Sequence, residues 1–390
     1  MRSICLVLQR AGVCLMRVVL DFNPVLINRF SGFYSYGTGL LGGFSSLSEK
    51  TEIVLFYSKR FGQEIRKIKD ERSESLRLKP TSIKIRWLEN LWRYSSYPKL
   101  ELFTSEFDIY HCFHHLMPPT NGKPRVMTVH DLRRYMLPEL YRKSKLGRFE
   151  WAVKSADHFV AVSQSTKSDL CRIFSIAENK VDVVYLAADA KFTPLLPAEK
   201  QQAKARFSQQ VGTLLDRYVI AFSSADSRKN IRRIIQAFKM VRKQLPDNTK
   251  LVVIGNLPKS NAEVSQGDTS LEEQGVLLAG TVNNIEDGLA CAEGLVFTSL
   301  YEGFGIPILE AFACGIPVIT SNLSSMPEVA GDAALLVNPY DVESISEAIA
   351  KVCNDSELRN SLVQAGLRRS GHFSWHKTAS KTREIYKKLL

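Results

Sequence analysis

Two tandem Rossmann-like α/β units, each a parallel sheet between layers of helices, are predicted by three features of the sequence. Short apolar strand-like runs alternate with helical stretches from Met16 onward, the alternation breaks once in a polar, helix-friendly stretch at 196–216, and it restarts with Tyr218-Val-Ile-Ala-Phe222. Runs of Val, Ile and Leu without in/out alternation belong to strands buried on both faces, the environment of a parallel sheet covered by helices. A chain of 390 residues, 45% hydrophobic and 24% charged, has the length and apolar content for two cores.

Met16-Arg-Val-Val-Leu-Asp21 reads as the first buried strand. Residues 1–15, whose apolar stretch is interrupted by Arg10, are therefore read as an extension ahead of it and not as a signal peptide. The strand runs Ile53–Phe56, Ile109–His111, Val126–Val129, Phe159–Val162 and Val181–Tyr185 follow, which assigns residues 16–195 to a first domain. Phe192–Pro197 is the linker. A second series, Tyr218–Phe222, Lys250–Ile254, Val276–Leu278, Gly294–Phe297, Pro317–Ile319 and Ala334–Val337, assigns residues 196–374 to a second domain. The helical run after Phe373-Ser-Trp375 is long enough for residues 375–390 to cross back onto the first domain, and the polar insertion Asn256–Gln274 is expected to be a mobile loop. Seven scattered cysteines with no C-x-x-C pair give neither a disulfide framework nor a zinc site, so a reducing cytoplasm fits. No apolar run reaches the roughly 18 residues of a spanning helix.

Chemistry concentrates in Ser299-Leu-Tyr-Glu302-Gly-Phe-Gly305-Ile-Pro307-Ile-Leu-Glu310-Ala-Phe-Ala-Cys-Gly315-Ile-Pro317. Gly303 and Gly305 permit a tight turn after a strand, Pro307 suits the first turn of a helix, and Gly315 ends that helix. The free N–H groups of such a helix start, at the carboxyl edge of a sheet, form a phosphate site. Glu302, in the loop, and Glu310, on the helix, can face one ligand spanning both, and carboxylates accept hydrogen bonds from sugar hydroxyls. A second basic turn, Phe222-Ser-Ser-Ala-Asp-Ser-Arg228-Lys229-Asn230, follows the first strand of the second domain and places a lysine within reach of a phosphate.

The pattern E-G-F-G-I-P-x-L-E-A-x-A-x-G-x-P-V-I resembles the signature of the retaining glycosyltransferases of family 4, which have the GT-B fold: two Rossmann-like domains whose parallel sheets face a central cleft. The resemblance implies a nucleotide-sugar donor, with Glu302 near the reacting centre of the sugar and Glu310 on the ribose. It places backbone groups of Gly303, Phe304, Gly305 and Ile306 on sugar and diphosphate, Lys229 on the diphosphate, and Gly280 and Val282 at the base. Many relatives carry an arginine where this chain has Ser223-Ser224; either Arg228 supplies the second positive charge or the site works with one. The family also implies retention, with front-face attack by the acceptor hydroxyl; the sequence carries no metal motif, and no metal is expected.

In the first domain, His130-Asp131 ends a buried strand at the cleft. Their similarity to the family's histidine-aspartate pair makes His130 a contact to acceptor or donor hydroxyls, with Asp131 on the acceptor side. Gly32–Gly43, including Gly37, resembles the glycine-bearing loop by which the family approaches phosphate and acceptor. Its spacing is not G-x-G-x-x-G, which counts against NAD. Ser163 or Ser165 caps the helix after Ala161-Val162. His111, His114 and His115 do not read as a metal site, because their spacing would need a helix where a strand is expected. Glu302, His130 and Lys229 are thus the candidate catalytic residues.

The net charge of +12 is uneven, since residues 1–195 hold +11 of it. Basic and aromatic residues interleave at Lys59-Arg60, Arg66–Lys69, Lys79–Arg86, Trp92-Arg93-Tyr94 and Tyr141–Trp151. This suits an anionic interface, and the expectation is a cytoplasmic protein bound peripherally to the inner face of the membrane, acting on a glycan or polyprenyl-pyrophosphate-linked acceptor. Similarity to bacterial mannosyltransferases of O-antigen and exopolysaccharide assembly makes GDP-mannose the first expected donor, with UDP- and dTDP-sugars as alternatives. No cofactor is expected beyond that cosubstrate. Nucleic acid is not an expected partner; a non-catalytic nucleic-acid- or membrane-binding homologue is the competing reading.

Overall fold

The computed structural model describes residues 16–29, 31–72, 76–141, 146–257 and 269–390. The N-terminal extension, most of the polar insertion and Arg142–Lys145 of the basic stretch lie outside the described residues. Seven parallel strands form the first sheet in the order β3-β2-β1-β4-β5-β6-β7: β1 Arg17–Asp21, β2 Glu52–Ser58, β3 Arg77–Thr81, β4 Ile109–Cys112, β5 Arg125–Val129, β6 His158–Ala161 and β7 Val181–Val183. Six form the second in the order β10-β9-β8-β11-β12-β13: β8 Arg217–Phe222, β9 Thr249–Ile254, β10 Val276–Gly280, β11 Gly294–Phe297, β12 Val318–Ser321 and β13 Leu335–Val337. All described ladders are parallel, as the apolar runs require. The strand not foreseen from the sequence is β3, RLKPT: its charges and Pro80 mask the pattern, and it tolerates them because it lies at the sheet edge.

In each sheet the order reverses between the first and fourth strands, β1 and β4 in one and β8 and β11 in the other. Ligands in open α/β sheets bind at the carboxyl side of that reversal. The helices that position the site are α1 Gly32–Ser46, α2 Ile85–Tyr94, α3 Gln164–Phe174, α4 Pro197–Val211, α5 Ile306–Ala313, α6 Met326–Ala330 and α7 Trp375–Leu389.

Gly32–Gly43 is not a loop. The whole segment is α1, capped by Ser31, whose hydroxyl accepts from the Tyr34 N–H at 3.3 Å. Its glycines serve close packing: a Cβ on Gly37 would overlap Val25, and one on Gly39 or Gly43 would overlap Trp375 of α7. Helix α7 thus lies directly on α1. It is pinned there by Tyr386, whose hydroxyl meets His111 Nδ1 at 2.6 Å, and by Thr378, which donates to the Tyr185 carbonyl at 2.7 Å. His111 Nε2 continues to Thr128 Oγ1 at 2.7 Å, and Thr128 to the Tyr36 hydroxyl at 2.9 Å, a fully buried polar chain linking α7, the sheet and α1.

Candidate active site

Strand β11 ends at Phe297 and the chain turns through Thr298–Gly305 into α5. Gly305, the residue before the helix, has φ +105°, a conformation that favours glycine, and Pro307 sits in the first turn. The N–H groups of Phe304, Gly305 and Ile306 donate to no acceptor among the described residues, so the start of α5 presents three hydrogen-bond donors and the positive end of the helix dipole.

Glu302 is buried just ahead of them. Its Oε1 accepts from Lys229 Nζ at 2.7 Å and Ser299 Oγ at 2.9 Å and lies 2.5 Å from Arg228 Nη1. Burial alone would raise its pKa, but Arg228 and Lys229 outweigh that and hold the carboxyl down at about 2. The loop after β8 brings these cations in as a short 3-10 turn, Ser227–Lys229, ended by Asn230 in the left-handed region at φ +60°. Asn230 locks the two loops together through its carboxamide, which donates to the carbonyls of Thr298 at 3.0 Å and Pro339 at 2.7 Å, while the Leu300 N–H donates to the Arg228 carbonyl at 2.8 Å.

Arg228 is enclosed, not free. It bonds Asp226 Oδ2 through Nε at 3.1 Å and the Tyr301 carbonyl through Nη1 at 2.9 Å besides meeting Glu302. Burial alone would lower its pKa; Glu302, Asp131 and Asp226 overcome this and raise it, so it stays a guanidinium. Lys229 is lowered by burial and by Arg228 against the opposing pull of Glu302, and its ammonium lies 4.5 Å over the Phe297 ring. An ammonium has three donors and Glu302 occupies one here, leaving the others available to a phosphate.

From the first domain, His130 follows β5 and is wedged between the rings of Phe33 and Tyr36, each centroid 4.7 Å away. Burial depresses it to about 4, so it is the neutral imidazole at pH 7, and its Nε2 is buried with no partner among the described residues. Asp131 turns back to its own chain, accepting from the Arg133 N–H at 3.3 Å. The donor loop sits against this strand end: a Cβ on Gly303 would overlap the His130 carbonyl oxygen, and the Gly303 carbonyl accepts from Ser163 Oγ at 2.7 Å and Thr166 Oγ1 at 3.0 Å. Ser163 is the cap of α3, accepting from the Thr166 N–H at 3.0 Å, and it performs both tasks with one hydroxyl. Other bonds across the cleft run from Tyr301 Oη to Asp169 at 2.9 Å, from the Gln164 N–H to Glu328 at 2.7 Å and from Tyr141 Oη to Asp226 at 2.6 Å.

Glu310, the fifth residue of α5, is partly exposed and makes no ion pair among the described residues. Burial, aided by the charges of Asp189 and Glu286 and opposed by Lys191, lifts its carboxyl to about 7. Gly280 ends β10 at φ +63° with its carbonyl accepting from the Gly255 N–H at 2.6 Å, and Val282 is buried just beyond. Gly37 is not at the cleft surface; it lies buried in α1 against Val25 and Phe22. Among the described residues no group of His, Cys, Asp or Glu is arranged to hold a metal: His111 bonds Tyr386, while His114 and His115 pack ring to ring at 4.0 Å, with His115 on Glu89 at 3.0 Å and His114 at the edge of Phe33. Sequence reasoning missed Ser299, Tyr301, Asp226 and Tyr141 as site residues. The first three stand inside the motif segments, and the fourth reads only as part of the basic and aromatic stretch Tyr141–Trp151.

The Glycosyl transferases group 1 family model matches residues 204–369, and that of Glycosyltransferase Family 4 matches residues 51–192. O-antigen chain mannosyltransferase B of Escherichia coli is similar at 30% identity over 271 residues, 68% of this chain and 70% of that protein. With serotype-specific mannosyltransferase WbdA of Escherichia coli the identity is 28% over 72% of this chain, which spans only 33% of that longer protein. Among solved structures, sucrose-phosphate synthase from Thermosynechococcus elongatus matches with a TM-score of 0.73 at 17% identity, covering 96% of this chain and 99% of that one, a likeness of fold. The second-domain loops that bring a glutamate, a lysine and a free helix N-terminus to the cleft lie within the first of these family matches, and the chain belongs to the GT-B glycosyltransferases of family 4.

Proposed function

We propose that the chain transfers a mannosyl residue from GDP-mannose, with retention and without a metal ion, to a glycan or polyprenyl-pyrophosphate-linked acceptor of surface-polysaccharide synthesis. The carrying observation is the placement of Glu302, Lys229 and the three free N–H groups of Phe304–Ile306 in one cleft wall opposite His130. As the bond to the diphosphate breaks, negative charge grows on the leaving oxygens and positive charge on the sugar ring. Lys229 and the α5 N-terminus answer the first and the ionised Glu302 answers the second, all preorganised in a partly dehydrated site. Neutral His130 can hydrogen-bond a sugar or acceptor hydroxyl through Nε2. Similarity to O-antigen chain mannosyltransferase B favours mannose and so a guanosine donor over UDP- or dTDP-sugars.

Peripheral contact with the inner face of the membrane is part of this reading. No described helix is long and apolar enough to cross a membrane. Helix α2 supports surface docking: Trp87, Leu91 and Tyr94 project outward at 72%, 46% and 84% exposure, flanked by exposed Lys84 and Arg86. Trp92, which the sequence grouped with this patch, is instead buried, its indole donating to the Pro98 carbonyl at 2.8 Å.

The test is a thermal-shift panel of UDP, GDP, dTDP and ADP, because a ligand selective for the native state raises its melting temperature. GDP is expected to give the largest shift, lost in Lys229→Ala. A larger shift with UDP or dTDP overturns the guanosine donor, and no shift with any nucleotide overturns the donor site.

A further inference from the structure

Beyond the donor-binding residues, the cleft contains a chain of hydrogen bonds that starts in the first domain and ends on Glu302. Tyr141 Oη donates to Asp226 Oδ1 at 2.6 Å. Asp226 accepts from the Arg228 N–H at 3.2 Å on the same oxygen and from Arg228 Nε at 3.1 Å on the other, with Arg133 Nη1 3.6 Å away. Arg228 Nη1 then meets Glu302 Oε1 at 2.5 Å and the Tyr301 carbonyl at 2.9 Å. Asp226 and Glu302 therefore grip the rigid guanidinium from two sides. A planar fork whose Nε is fixed by one carboxylate has little freedom in where it presents its Nη1 to the other.

We propose that Tyr141 and Asp226 are positioning residues for the transfer step: docking of the first domain, read through Tyr141, orients Asp226 and Arg228 and so fixes the Glu302 carboxylate where the donor sugar reacts. Three observations separate this from ordinary interdomain adhesion. Tyr141 is tied to the half-buried Asp226, which in turn bonds a guanidinium that is only 8% exposed. Arg228 commits Nε to Asp226 and Nη1 to Glu302 and the Tyr301 carbonyl, so where Asp226 holds it sets where it meets Glu302. The Glu328 carboxylate, by contrast, crosses the same cleft to the Gln164 and Ser165 N–H groups at 2.7 and 3.1 Å and is not a link in this chain. The consequence is that donor-side chemistry is assembled only when the acceptor domain is in contact, which limits wasteful reaction in an open molecule.

The experiment is a double-mutant cycle on the full chain, reading nucleoside-diphosphate release from whichever nucleotide sugar the wild type turns over, GDP-mannose first. Tyr141→Phe is expected to lower kcat about tenfold, the scale of a lost hydrogen bond to a charged group, with donor KM changed less than about twofold. In a Glu302→Gln background the same substitution should change kcat by less than about twofold, because the residue it acts through is already disabled. Glu328→Gln, a loss of docking alone, should act by the same factor in both backgrounds. Where Glu302→Gln is too slow to assay, Asp226→Ala replaces it as the background, and Tyr141→Phe should again be silent. Tyr141→Phe acting by an equal factor in wild-type and disabled backgrounds, raising KM at unchanged kcat, or having no effect would each overturn the proposal.

Discussion

Two carboxylates eight positions apart on one segment are shifted in opposite directions. Burial pushes both up, yet Glu302 is held at about 2 by Arg228 and Lys229, while Glu310, where burial with Asp189 and Glu286 outweighs Lys191 and Lys229, rises to about 7. Glu302 is therefore a fixed charge at every physiological pH, and Glu310 changes charge within that range. If Glu310 holds the ribose, its ionised form is the acceptor for ribose hydroxyls, so nucleotide affinity should increase between pH 6 and pH 8 by about tenfold and flatten above. Calorimetric titration of wild type and Glu310→Gln checks this, since the variant should bind more weakly at pH 8 and show no such slope; a slope retained in the variant would assign it to another group. Stability moves the other way. A folded pKa above the ordinary 4.5 means that the folded protein holds the extra proton, so stability is lost as pH rises from 4.5 through about 7. Without nucleotide, Glu310→Gln should therefore raise the melting temperature at pH 8 more than at pH 5. Glu302→Gln, in contrast, should reduce kcat with less effect on nucleotide binding.

Helices show how far periodicity reaches and where it stops. In α2 the residues Leu88 and Trp92, four apart, face the core, while Trp87, Leu91 and Tyr94 form the opposite stripe. Apolar groups on both faces of one helix leave the sequence unable to choose which tryptophan is inside. An outward apolar stripe of this size, with Arg93 5.6 Å over the Tyr94 ring and Lys84 at the helix start, is expected to insert at an anionic bilayer surface. Trp87→Ala combined with Tyr94→Ala should cut cosedimentation with phosphatidylglycerol-containing vesicles at least about fivefold while leaving the melting temperature within about 2 °C, because neither side chain is in the core. Undiminished vesicle binding would move the membrane contact elsewhere. The glycines of α1 teach a related lesson. Loop and helix both use glycine for close approach, and here the approaching partner is Trp375, more than 330 positions along the chain. The strand runs were legible because a buried parallel strand carries its own signal. Gly39 and Gly43 were misread because their signal depends on a distant partner, and Gly37 because its partners, Val25 and Phe22, belong to the segment before the helix.

At the scale of the whole molecule, the two domains meet through atoms that the motif itself supplies. Gly303 shows this best. The sequence marks it as a turn glycine, but the left-handed backbone belongs to Gly305, and what Gly303 provides is space: its Cα lies against the His130 carbonyl while its own carbonyl takes two hydroxyls from Ser163 and Thr166. That requirement is invisible locally, since it depends on a strand end in the other domain, whereas Glu302 and Lys229 were legible because their chemistry is written in residue type and spacing. Gly303→Ala should therefore leave each domain folded and the donor loop intact, yet hold the domains apart by the width of a methyl group at the point where His130 faces the donor. Displacement of about 1 Å between reacting groups costs on the order of a hundredfold in rate. The expected result is a kcat reduced by roughly that factor, nucleotide binding kept within about threefold because its contacts are mostly within the second domain, and a larger radius of gyration in solution scattering. Loss of nucleotide binding together with unchanged scattering would show that Gly303 acts within its own loop, and the cross-domain contact would then be a consequence of closure and not its condition.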